Sequence, residues 1–109
     1  MRTVVEFVTE DGLSPFGRWY ARLKAPAAAK GATALYRLEL GNLSSSKSVG
    51  NGVSEYKIDF GPGYRIYFGQ DGDVLVILLG GGTKKGQSDD IQQAQARWAD
   101  YKRRRSRAR

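Results

Sequence analysis

The chain has 109 residues, contains neither cysteine nor histidine, and carries 18 Lys and Arg against 11 Asp and Glu, a net charge of +7. The absence of cysteine and histidine excludes disulfides, thiolate nucleophiles, His-centred catalytic triads and nearly all zinc sites. The length allows one domain, and the apolar fraction of 40% is typical of a folded globule.

The N-terminal half contains signals for one strand, two helices and a loop. Residues 3–8 are β-branched and aromatic, which predicts the first strand. Ser14, followed by a proline, predicts the N-cap of a first helix, and Pro26 begins a second helix that ends at Gly41. Serines and glycines dominate residues 42–52, which predicts a flexible loop.

A β-hairpin follows, because apolar and polar residues alternate over residues 53–60 and again from Tyr64 to Phe68. A three-residue turn at Gly61–Gly63 would keep the apolar side chains on one face. In that register Asp59 lies opposite Arg65. Lys57 then lies opposite Tyr67.

The C-terminal half adds a third strand and a final helix. Val74–Leu79 is apolar on both faces, as in the centre of a covered sheet. Ser88 is the predicted N-cap of the helix, which ends at Tyr101. We therefore predict an α+β fold in one domain, residues 1–101: a strand, two helices, three antiparallel strands and a C-terminal helix. Residues 102–109, with six basic groups and no acid, are expected to form a disordered basic tail.

The second face of the predicted hairpin is unusually polar. It carries two acids, two bases and a phenol: Glu55, Asp59, Lys57, Arg65 and Tyr67. Such groups can bind a phosphate and exchange protons. Cross-strand charge pairing, at about 0.2–1 kcal/mol for each pair, explains the same residues without any function.

A glycine-rich segment, Leu79–Gln87, joins the strand Val74–Leu79 to the last helix. Such a turn can present backbone N–H groups and lysines to an anion. Its glycine spacing differs from that of a Walker loop. The glycines can equally permit close packing, so the segment favours no ligand by itself.

Three stretches resemble the addiction-module killer proteins, a HigB-like branch of the RelE/ParE toxin superfamily. They are Glu55–Tyr67 with its Gly-Pro-Gly-Tyr-Arg sequence, Leu78–Gln87 and Asp90–Ala94. The resemblance extends over about residues 3–101 and implies a RelE-like fold. One departure is Thr83, because the family often has an acidic residue at this position, directly before the lysine of the glycine-rich segment (here Lys84).

The resemblance implies the toxin of a type II toxin–antitoxin system. Such a toxin is an endoribonuclease that cleaves ribosome-bound mRNA by attack of a ribose 2′-OH on the adjacent phosphate, without a metal or other cofactor. Its partners would be mRNA, the ribosome and an antitoxin, expected to be a helix-turn-helix protein encoded next to it. The candidate catalytic residues are Arg65 as phosphate clamp, Lys57, Lys84, Glu55 and Tyr67. The candidate RNA-binding residues are Lys85, Gln87, Lys102, Arg103 and Arg104.

Two other functions stay open on the sequence. ParE relatives inhibit DNA gyrase, which requires no catalytic residue, and a small basic module can bind nucleic acid without any reaction. We expect a cytoplasmic protein that does not engage the membrane, because no apolar stretch has the length of a span or the form of a signal peptide. For the nuclease, Arg65→Ala is expected to abolish growth inhibition and to leave the fold intact.

Overall fold

A computed structural model of the protein describes residues 1–108. Five strands, three α-helices and one short 3-10 helix follow one another along the chain. They are β1 (Thr3–Glu6), α1 (Pro15–Ala21), α2 (Ala25–Glu39), β2 (Ser46–Gly50), β3 (Val53–Ile58), β4 (Tyr64–Asp71), β5 (Leu75–Thr83), the 3-10 helix (Lys84–Gly86) and α3 (Gln87–Arg107).

All five strands form one mixed sheet in the order β1-β5-β4-β3-β2. Strand β1 pairs with β5 in parallel, and the other neighbours are antiparallel. The predicted α+β class and single domain are confirmed. The predicted number of strands is wrong, because β2 lies where a flexible loop was expected.

Strand β2 exists because a tight turn joins it to β3. Asn51 and Gly52 both have positive φ values, 55° and 82°, as a type I′ hairpin turn requires. Gly50 pairs with Val53 directly across this turn. The polar composition of β2 concealed a strand that the Asn-Gly pair indicates.

The hairpin of β3 and β4 has a longer turn than predicted. Ile58, rather than Phe60, pairs with Tyr64, so the strands are offset by two residues from the expected register. A shift of two keeps every side chain on its predicted face, because side chains alternate with a period of two. It nevertheless changes the polar pairs: Arg65 lies opposite Lys57, and Tyr67 lies opposite Glu55.

The two faces of the sheet are covered by different helices. Helices α1 and α2 cover an apolar face, which we call the first face. Its buried side chains include Leu38 from α2, Phe16 from α1 and, from the sheet, Tyr56, Ile66 and Phe68. On the second face α3 packs Ala94 and Trp98 against the sheet. The apolar face predicted for the hairpin is confirmed, because Tyr56, Ile66 and Phe68 are buried together on the first face.

The three consecutive glycines lie within β5 and not in a loop after it. They provide room for side chains from the helices. A Cβ on Gly80 would lie 2.8 Å from Arg97 Nη1, whereas a Cβ on Gly81 would collide with the ring of Trp19 and one on Gly82 with the carboxylate of Asp90. The glycines therefore permit close packing of the helices against β5, which was the alternative to anion binding in the sequence analysis.

Helix α3 is longer than predicted at its C-terminal end. It begins at Gln87 with Gly86 as N-cap, so Ser88 is not the cap, and it continues to Arg107. Residues 102–107 are thus helical where a disordered tail was expected, and Arg109 lies outside the described residues. None of the helices in residues 1–108 combines the length and apolarity needed to cross a bilayer.

Candidate functional site

The polar residues of the hairpin gather at one end of the second face, beside the first turn of α3. Alternation along β3 and β4 points Glu55, Arg65 and Tyr67 towards the side that α3 covers. Glu55 is 1% exposed, Arg65 5% and Tyr67 0%. The sequence predicted their common face, but the structure buries a charged pair where an open platform was expected.

The Glu55 carboxylate is the centre of this group. Its Oε1 accepts a hydrogen bond from Gln87 Nε2 at 2.6 Å and lies 3.3 Å from Arg65 Nε. Its Oε2 lies 3.9 Å from Lys47 Nζ. One carboxylate oxygen is therefore occupied by two partners, and the other faces a lysine that is 70% exposed.

Arg65 is held from two sides and presents little surface to solvent. Besides its ion pair with Glu55, its Nη1 donates to the carbonyl of Gly63 at 2.9 Å. The same carbonyl accepts the backbone N–H of Lys84 at 3.0 Å, so this carbonyl joins the hairpin turn to the 3-10 helix. The expected role as an open phosphate clamp does not match this placement.

This burial also changes the expected result of Arg65→Ala. Without the guanidinium, the Glu55 carboxylate would stay buried with only Gln87 at Oε1, which is energetically costly. The substitution would perturb folding as well as function, contrary to the expectation that the fold stays intact.

Tyr67 is completely buried in the apolar cluster beneath α3. Its hydroxyl makes no hydrogen bond within the described residues. Burial, and next the negative charge of Glu55, raise the pKa of Tyr67 well above its ordinary value. The phenol therefore stays neutral at physiological pH, and its position suits support of Glu55 better than contact with a substrate.

A cavity of about 280 Å³ opens beside Glu55. Lys47 and Lys57 stand at its rim, and it is also lined by Ser44, Ser45, Ser46 and Asp59. Lys57 is 52% exposed and pairs with Asp59 at 3.3 Å. We call this the Glu55 cavity. Two largely exposed cations beside a buried carboxylate can bind a phosphate and present its neighbouring hydroxyl to a base.

The glycine-rich segment contributes residues at the same end of the sheet. Lys84 and Lys85 are exposed in the 3-10 helix, and the backbone of Lys84 is bound to the hairpin turn. Gln87 at the start of α3 contacts Glu55. Gln87 is therefore brought to the site as a partner of Glu55, and the backbone of Lys84 is brought to the hairpin turn that holds Arg65. Lys84 and Lys85 are not among the residues that line the Glu55 cavity.

The basic residues of the expected tail lie elsewhere and have partners within the protein. Arg104 donates to the carbonyl of Val8, pairs with Asp100 and lies over the ring of Phe7. Arg103 also pairs with Asp100, and Lys102 lies over the Trp98 ring. Arg104 thus attaches α3 to the segment after β1, whereas the contacts of Lys102 and Arg103 lie within α3. None of the three residues lines the Glu55 cavity.

Comparison with known proteins identifies a bacterial relative of this chain. An uncharacterized protein of Haemophilus influenzae is 46% identical over 80 residues, which are 72% of this chain and 81% of the relative. This chain belongs to the same family as that protein. A scan against models of known protein families gives no match.

The sequence did not predict that Lys47 and the three serines before it, Ser44, Ser45 and Ser46, line the candidate site. All of them lie on or next to β2, which was predicted as a loop. The Asn51-Gly52 pair was the available signal, because it predicts a hairpin and so brings Lys47 into register with Glu55. Within residues 1–108, acidic side chains form no group of three that could hold a metal ion.

Proposed function

We propose that this protein is the toxin of a type II toxin–antitoxin system and cleaves mRNA at the Glu55 cavity. The observation that carries the proposal is a buried carboxylate that lines a cavity together with two lysines, one of which lies 3.9 Å from its second oxygen. The resemblance of the hairpin and glycine-rich segment to RelE/ParE toxins, which implies a RelE-like fold, supports it from the sequence.

The proposed reaction is a transesterification within the RNA. Glu55 Oε2 takes the proton from a ribose 2′-OH, and the oxygen attacks the adjacent phosphorus. The bond from phosphorus to the 5′-oxygen breaks, and Lys57 at the rim, or Lys84 of the 3-10 helix, gives that oxygen a proton. The products are a 2′,3′-cyclic phosphate and a 5′-OH end.

The structure suggests different roles for the other candidates. Arg65 and Gln87 hold the carboxylate in place through Oε1. Lys47 and Lys57 would bind the phosphate and stabilise the charge that develops in the transition state. The isolated protein should be slow, because without histidine no side chain has an ordinary pKa near 7. Ribosome-bound mRNA would supply orientation.

The test is induced expression in bacterial cells with and without the neighbouring reading frame, which is the expected source of the antitoxin. Growth arrest should come with mRNA fragments that have 5′-OH ends, and co-expression should prevent both. Lys57→Gln should reduce cleavage by about tenfold or more, because it removes a charged phosphate contact. Lys24→Gln removes the same charge from another exposed position and is the control.

The two alternative functions, inhibition of DNA gyrase and nucleic-acid binding without a reaction, predict other outcomes of the same experiment. Double-strand DNA breaks with intact mRNA would indicate a gyrase inhibitor and would overturn the nuclease. Intact RNA that co-purifies with the protein would indicate a binding module without a reaction. Equal cleavage by the Lys57→Gln and Lys24→Gln variants would remove the Glu55 cavity from the proposal.

A further inference from the structure

A second cavity, of about 310 Å³, lies between α1 and α3 and is lined by three arginines. They are Arg18, Arg22 and Arg97, and the remaining lining residues are Thr9, Leu13 and Pro15. We call it the arginine cavity. It shares no lining residue with the Glu55 cavity.

The lining of this cavity carries positive charge and no negative charge. No acidic residue lines it, and within residues 1–108 none of its arginines has a carboxylate oxygen within 4.0 Å. Other cations of the protein, such as Lys57 and Arg103, do have such partners. Three neighbouring guanidinium groups repel one another unless an anion lies between them.

Arg97 is fixed in position by the protein. Its Nη1 donates to the carbonyl of Leu79 at 2.9 Å, and its Nη2 donates to Gln93 Oε1 at 3.0 Å. The absence of a side chain on Gly80 makes room for it. Partial burial lowers the pKa of Arg97, although the charge of Asp90 opposes that change. Two N–H donors are used, and the others are free for a ligand.

Arg18 and Arg22 come from the other side of the cavity. They are four residues apart at the C-terminal end of α1, so their side chains share a face, and like charges at this spacing are unfavourable. The helix dipole favours cations at this end. That effect does not explain Arg97, which comes from the middle of α3.

We propose that the arginine cavity is an anion site that binds a phosphate group. Guanidinium groups bind phosphate oxygens through paired N–H donors, and Arg97 is held ready for this by its protein contacts. The phosphate can belong to the backbone of an RNA or to a free phosphate compound. The site does not depend on the nuclease proposed above.

Two probes distinguish these sources in the full-length protein. Inorganic phosphate and pyrophosphate are titrated by calorimetry at low salt. A short 2′-O-methyl RNA, which lacks the 2′-OH nucleophile, is titrated by fluorescence anisotropy at several salt concentrations. The variants are Arg18→Gln and Arg22→Gln, both at exposed positions, and Lys24→Gln is the control for the loss of one nearby exposed charge. Circular dichroism verifies that each variant is folded.

For a free anion, we expect Arg22→Gln to weaken phosphate or pyrophosphate binding about tenfold, whereas Lys24→Gln changes it little. For an RNA, we expect Arg22→Gln to lower the salt dependence of binding by about 0.7 in log–log slope for each lost contact. The result that overturns the proposal is an Arg22→Gln variant that cannot be distinguished from Lys24→Gln with either probe, including the case in which neither probe binds. Absence of RNA cleavage in cells leaves these measurements unaffected.

Discussion

The two faces of the sheet are stabilised in different ways. On the first face, Ile66, Phe68 and Leu38 pack against one another as an apolar layer beneath α2. On the second face, α3 covers apolar residues at one end and the Glu55–Arg65 pair at the other. The first face needs only complementary shape, whereas the second also requires that two buried charges stay paired.

The difference indicates where function is expected. Burying two charges costs free energy that an apolar pair of the same size would not cost, so the second face is less stable than it could be. The same pair borders the Glu55 cavity, where a fixed carboxylate has a chemical use. The first face has no comparable departure from apolar packing.

The largest effect is expected at the buried pair. Arg65→Ala should lower the free energy of unfolding by about 3–5 kcal/mol, because it removes the buried cation of the Glu55 carboxylate and leaves only the exposed Lys47, 3.9 Å from Oε2. Urea denaturation measures the loss. The double substitution of Glu55→Leu with Arg65→Met should recover most of it, since no charge is then left unpaired.

Lys57→Ala is the matched control for this prediction. It removes one positive charge from the residue directly opposite Arg65, but Lys57 is half exposed and its ion pair with Asp59 is at the surface. The expected loss is below about 1 kcal/mol. Similar losses for Arg65→Ala and Lys57→Ala would contradict the contrast between the two faces.

An intermediate effect is expected where a tryptophan packs on a glycine. Gly69 lies under Trp98 on the second face, and Gly81 lies under Trp19 on the first. Alanine at either position overpacks the contact, at a cost of about 1–3 kcal/mol. Gly69→Ala should cost more, because Trp98 is buried and stacked on Tyr101 while Trp19 is only partly buried. Thermal unfolding of the two variants tests the order.

The smallest effect is a pH dependence at the far end of the second face. The Tyr101 hydroxyl donates to Asp71 at 2.6 Å. Burial, together with this hydrogen bond, raises the pKa of Tyr101 from 10.0 to about 12. A raised pKa means that the folded state retains the proton more strongly, so this stabilisation is complete below pH 10 and is lost between pH 10 and about 12.

Tyr101→Phe isolates that contribution. The difference in unfolding free energy between the parent protein and Tyr101→Phe should shrink as the pH rises through this range. Tyr36→Phe, at an exposed tyrosine, is the control for removing a hydroxyl. A difference that stays constant up to pH 12 would show that the Tyr101–Asp71 hydrogen bond does not contribute to stability in this way.

Local sequence signals predicted much of the fold. Ser14 caps α1 as expected, its side chain accepting from the N–H of Gly17, and the alternation in β3 and β4 predicted the two faces of the hairpin. The site was predicted less well. The common face of Glu55, Arg65 and Tyr67 followed from alternation alone, but their burial depends on where α3 packs, and no local pattern contains that information.

The amino-acid pattern by itself determined the α+β class, the start of α1 after Ser14 and the apolar face of the hairpin, because these depend on spacing along a few neighbouring residues. The strand β2 and the pairing of Lys57 with Arg65 depend on the two hairpin turns, whose geometry composition and alternation left undetermined. Only the tertiary structure decided the glycines as packing space and the burial of the ion pair. Both are fixed by contacts between distant parts of the chain. The arginine cavity has the same origin, since Arg97 lies 75 residues further along the chain than Arg22.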